Sequence, residues 1–124
     1  MKYLLLVYID PELLDAVPAP DYDDEMRGCI RKADALTSQG TLLGYNKLEA
    51  PVQARTVRVR EGRTAVYDGP FAETKEVLAG YNLIEADTLE QAVELAKQFP
   101  WAQYGSMEVR PVSDMDAERV RVGA

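Results

Sequence analysis

Apolar residues fill the chain without a break from Tyr3 to Ile9, between Lys2 and Asp10-Pro11. The run is too short to span a membrane and its side chains are bulky, which predicts a central strand buried on both faces. From Asp21 to Gln39 the period changes. Met26, Ile30, Ala33 and Leu36 or Thr37 recur at three- and four-residue spacing, with Cys29 on the flank, which predicts a helix. Asp21, Asp23, Asp24 and Glu25 gather where its macrodipole is positive, and Gly40 stops it. Pro11 to Pro20, between strand and helix, reads either as a short helical turn carrying Leu13, Leu14 and Val17 or as a lid.

Thr41 to Leu48 predicts a second strand, with Leu43, Tyr45 and Lys47 on one face and Leu42, Asn46 and Leu48 on the other; Gly44 marks a bulge or a close approach. Arg55 to Arg60 alternates strictly, Glu61-Gly62 is a two-residue turn, and Arg63 to Tyr67 returns, making a hairpin with one wet face. Its arginines 55, 58, 60 and 63 read as solubilising edge charges, with anion binding as the other reading. Glu73 to Leu78 is expected to form one helical turn, after which Tyr81 to Ala86 resumes the sheet. Thr88 to Phe99 carries a capping-box pattern, Asp87 or Thr88 followed by Glu90 or Gln91, and buries Leu89, Ala92, Val93, Ala96 and Phe99. Ser106 to Val112 alternates as the last strand. Beyond Ser113 the charged residues 114–124 read as a loosely held tail to a single domain of residues 1–113.

The order strand, helix, strand, hairpin, strand, helix, strand is an elaborated split βαβ. The predicted class is α+β and ferredoxin-like, with two helices on one face of an antiparallel sheet. Such a plan leaves the other sheet face bare. An apolar face of that size normally marks an interface, so the pattern predicts a homodimer whose two sheets enclose a cleft.

Between hairpin and third sheet strand lies Tyr67-Asp68-Gly69-Pro70-Phe71-Ala72-Glu73-Thr74-Lys75-Glu76. Proline lacks an N–H and pushes the residue before it out of the helical region, so the strand stops at Asp68. One reading makes Asp68 an Asx-type cap whose carboxylate accepts backbone N–H groups, with Phe71 pinned by burial. The other places Asp68 in a pocket beside Glu73, Lys75 and Glu76, where neighbouring charges tune it to hold a proton or a cation.

These ten residues, with Gly80-Tyr81, the block Tyr104 to Val112 and the opening Met1 to Tyr8, resemble the DGPF-domain proteins of the YCII-related family. The resemblance covers nearly the whole chain. It implies a dimeric α/β-barrel domain, usually homodimeric, often encoded near sigma factors of the extracytoplasmic-function type. Some members of the wider group are thought to use a His-Asp pair, and this chain has no histidine.

The missing histidine also removes Ser-His-Asp and Cys-His catalysis, His-ligated zinc and haem on a proximal histidine. No cofactor or metal is implied: consecutive acids such as Asp21 to Glu25 diverge around a helix. Across 124 residues the net charge is −7, which argues against a nucleic-acid partner. The lone cysteine and the lack of a signal-like or membrane-spanning segment lead to the expectation of a cytoplasmic protein.

Three functions fit this reading. The first is a small-molecule-binding domain with Tyr8, Asp68, Glu73, Lys75, Tyr81 and Arg110 around the cleft. The second is a cofactor-independent enzyme with Asp68 as general acid/base, Lys75 as electrostatic stabiliser and Tyr81 as donor. The third is an interaction module linked to sigma-factor regulation.

Overall fold

The computed structural model describes residues 1–124. Its frame is a four-stranded antiparallel sheet in the order β2-β5-β1-β6, made of β1 (Lys2–Ile9), β2 (Leu42–Lys47), β5 (Val77–Glu85) and β6 (Gly105–Pro111). Helix α2 (Ala19–Ser38) links β1 to β2, and α3 (Leu89–Ala96) links β5 to β6. Each crossover joins two parallel-running strands with a third between them, which is the ferredoxin-like split βαβ. The arginine-bearing strands β3 (Arg55–Arg60) and β4 (Arg63–Asp68) form a separate two-stranded sheet. Their turn has positive φ at both Glu61 and Gly62, the mirror-image geometry that suits the twist of a hairpin.

Alternation along β1 sends Tyr3, Leu5, Val7 and Ile9 to one side. There they meet Ala33 and Leu36 of α2, Ala92 and Ala96 of α3, and Leu42, Ile84, Phe99 and Trp101, a core of 12 residues. Leu5 and Ile84 are fully enclosed. The other face, with Leu4, Leu6 and Tyr8 of β1 and Tyr81 and Leu83 of β5, stays half-exposed. The apolar run was expected to be buried on both faces; within one chain only one is covered, because both long helices pack on the same side.

Several boundaries differ from the sequence expectations. Helix α2 starts two residues early, since Pro20 is tolerated in a first turn that lacks N–H partners anyway. A short helix α1 (Pro11–Asp15) follows β1, capped by the Asp10 carboxylate, which accepts the Glu12 N–H at 3.0 Å. In β2 the register shifts between Leu42 and Gly44, the bulge Gly44 signalled, so Leu42 joins the helix-facing side with Tyr45 and Lys47.

Residues 73–76 form no helical turn. Strand β5 begins at Val77 because a bulge, pairing Val7 with Gly80 and Tyr8 with Leu78, carries the ladder past Ala79. Helix α3 is shorter than expected, ending at Ala96. Thr88 accepts the Gln91 N–H, and the Gln91 side chain accepts the Asp87 N–H. The charged C-terminus is helical, α4 (Met115–Val122), with Asp114 accepting the Ala117 N–H and left-handed Gly123 ending it. None of its residues is buried. No helix is long and apolar enough to cross a membrane.

Candidate functional site

Gly69 turns the chain away from β4 with φ of 86°. Its N–H donates to the Ala54 carbonyl at 2.7 Å, and the Thr56 hydroxyl donates to the Gly69 carbonyl at 2.8 Å. These bonds from the β3 side close the turn, so the expected Asx cap is absent: Asp68 instead pairs with Arg55 Nε at 3.1 Å, its side chain 91% exposed. Phe71 pins nothing by burial, being 78% exposed. Its ring lies over a groove, not in the core.

That groove, about 560 Å³, runs between the segment 70–78 and the stretch 48–56. Tyr8, Leu48, Arg55, Phe71, Thr74 and Leu78 contribute to its walls. Tyr8 and Leu78 are ladder partners at the margin of the half-exposed sheet face, so groove and open face are continuous. Asp68 and Glu73 line a smaller depression of about 380 Å³ on the neighbouring side of the same segment.

The residues after the turn are drawn to the end of β1. Lys75 Nζ lies 3.6 Å from Asp10, whose side chain is only 5% exposed. Ser106, directly opposite Tyr8 in the β1–β6 ladder, donates to Glu76 at 2.7 Å. A buried carboxylate is costly without a partner. Here the α1 N–H and the Lys75 ammonium share its charge, and the segment is tethered at two consecutive residues.

Of the residues singled out in the sequence, Tyr8 and Lys75 therefore converge on one end of the sheet, with Asp68 and Glu73 along the adjoining segment. Tyr81 lies on the same open face as Tyr8, opposite Leu6, outside the groove walls, and Arg110 lies farther along the sheet. The Tyr81 hydroxyl accepts from Asn46 at 2.9 Å, and Arg110 pairs with Glu108 at 3.2 Å. Arg110 faces Leu4, four residues back along β1 from Tyr8, roughly 13 Å away at strand spacing. Asp10 and Ser106 were not picked out from the sequence. An acid just before Pro11 is a helix-start signal that would have marked Asp10; nothing local marks Ser106, whose role depends on ladder register.

The model of the YCII-related domain matches residues 1–116. The chain is also similar to the uncharacterized protein R00369 of Rhizobium meliloti (strain 1021), 35% identical over 115 residues that span 91% of this chain and 93% of that protein. The chain belongs to the YCII-related family.

Proposed function

We propose that the protein is a small-molecule-binding domain that works as a homodimer, two open sheet faces meeting so that the groove beside Tyr8 becomes an enclosed cleft. The observation that carries this reading is the continuity of the groove with the half-exposed apolar face. Covering that face removes Leu4, Leu6 and Leu83 from water at about 25 cal/mol for each Å² of apolar surface. It also roofs a groove whose volume lies in the range typical of ligand sites.

Beside apolar Leu48, Phe71 and Leu78 and the Glu49 carboxylate, its walls carry three donors, the Tyr8 hydroxyl, the Gln53 amide and the Arg55 guanidinium. They suit a ligand with an apolar body and an acceptor or anionic group. Asp68 then holds Arg55 in place at the rim. An exposed, ion-paired carboxylate favours this role over general acid/base catalysis, which wants a shielded, tuned group.

Thermal shift against a metabolite panel, on the wild type and on Tyr8→Phe and Phe71→Ala, tests the binding reading. A ligand at 100 times its Kd stabilises by ~2.7 kcal/mol, or about 10 °C for a domain of this size. At least one compound should raise the wild-type melting temperature and act less on both variants. No stabilising compound, or equal shifts in all three proteins, would count against it.

A further inference from the structure

Helix α2 buries side chains fully only in its C-terminal half, while its N-terminal half packs partly against the core. Ala33 and Leu36 are buried, whereas Tyr22, Met26 and Cys29 are half-buried and Ile30 is 45% exposed. A Cβ on Gly28 would meet nothing within 4 Å. Beneath this half of the helix lies a hollow of about 450 Å³, on the side of the sheet opposite the open face. Val7, Ile9 and Ala79 form its floor, Leu14 and Met26 its roof, and Trp101 its end wall. Interiors normally close such spaces, because every lining atom loses its dispersion partners.

Two polar groups mark what the hollow accepts. Asn82 is only 8% exposed and lines it. No side-chain hydrogen bond reaches its amide, yet no polar side-chain atom of the protein is sealed away without a partner. The amide therefore has its access through the hollow. At the mouth stands Lys47, whose ammonium has only the Tyr22 hydroxyl at 3.3 Å and the Tyr22 ring face at 5.9 Å. In a protein of net charge −7, this cation has no carboxylate. Register places Asn82 beside Tyr45 and Lys47 beside Gly80 on β2 and β5, so the two groups are spaced by two strand residues, roughly 7 Å.

We infer that this hollow is a binding site for an aromatic carboxylate bearing a second hydrogen-bonding group on its ring, the carboxylate held by Lys47, the ring among Met26, Ile9 and Trp101, and the second group on the Asn82 amide. The Cys29 thiol on its wall adds no charge, since burial pushes its pKa up. Being the only cysteine, it reports on occupancy.

The test is calorimetric titration with 6-hydroxy-2-naphthoate, 2-naphthoate and 2-naphthamide, alongside the rate at which a small aromatic disulfide reagent modifies Cys29. The hydroxynaphthoate should bind one per chain, about fivefold tighter than 2-naphthoate, as one neutral hydrogen bond provides, and should slow Cys29 modification. Lys47→Gln, at an exposed position that leaves the fold intact, should weaken both acids about fivefold and leave 2-naphthamide unchanged. Three results would overturn the inference: no saturable binding at millimolar probe, acids and amide binding alike in wild type and Lys47→Gln, or Cys29 protection that rises with protein concentration without probe, which would put a second copy in the hollow.

Discussion

Gly105 opens β6 opposite Ile9, at the end of the sheet where Tyr8, Asp10 and Ser106 are held. A Cβ there would lie 2.0 Å from the Tyr8 carbonyl oxygen, 2.8 Å from the carbon of that carbonyl and 2.9 Å from Ile9 Cα. All three are backbone atoms, so no side chain can swing aside. The backbone itself is extended, with φ of 168°, and imposes no conformational demand for glycine; the demand is space. For Gly105→Ala the strands must part by more than about 1 Å to restore ordinary contact. Overpacking of this kind costs about 1–3 kcal/mol, and a weakened ladder bond adds ~1 kcal/mol. The expected loss is about 2–4 kcal/mol, or roughly 8–16 °C in melting temperature.

Gly28→Ala is the matched control. It lies within α2 with nothing near its added methyl, so helix propensity alone predicts a gain of about 0.5–1 kcal/mol. Urea unfolding followed by the emission of Trp101, the single and buried tryptophan, at fixed protein concentration measures both. A Gly105→Ala protein as stable as wild type would refute the close approach of β1 and β6 at this end of the sheet.

Other perturbations separate the contacts of this region. Asp10→Ala removes a helix cap and should cost about 1–2 kcal/mol, whereas Lys75→Met, losing an ion pair from a 79%-exposed side chain, should shift urea stability by less than ~1 kcal/mol; equal losses would show that the ion pair, not the cap, anchors Asp10. Tyr104 donates to both carboxylate oxygens of Glu25, at 2.8 and 2.7 Å. That hydrogen bond first, then burial and the charges of Glu25 and Asp21, raise the phenol above its ordinary value of 10.0. A raised folded-state pKa favours the protonated phenol, so its contribution is complete below pH 10 and is lost as pH climbs through the raised value. Wild-type urea midpoints should therefore fall more steeply from pH 9 to 11 than those of Tyr104→Phe, and parallel curves would contradict the assignment.

Much of the architecture is legible in local pattern. The run at Tyr3–Ile9, the three- and four-residue spacing from Met26 to Leu36, the Thr88 cap and the Glu61-Gly62 turn each fix an element through short-range physics. The misreadings have nearby causes. Bulges at Gly44 and Ala79 change which residues share a face, and alternation cannot register an extra residue. The charges of 114–124 masked two capping residues, Asp114 and Gly123, that hold α4 together without any burial.

The candidate site was less legible because it depends on distant pairings. Asp68 resembles a turn cap in isolation, but Arg55 across the hairpin takes its carboxylate, and Ala54 and Thr56 close the turn. Lys75 and Glu76 gain meaning only when β5 and β6 bring them to Asp10 and Ser106. The hollow beneath α2 has no motif at all, since it arises from how far one helix stands off the sheet.

Sedimentation equilibrium of the wild type beside Leu6→Arg addresses the pairing of open faces. Leu6 sits between Tyr81 and Glu108 on that face, half-exposed within one chain, so the arginine leaves the fold intact but puts a charge where two sheets would meet. At micromolar protein the wild type should have the mass of two chains and Leu6→Arg the mass of one, both with the same circular dichroism. A wild type of single-chain mass across that range would contradict the proposed assembly and the cleft that depends on it.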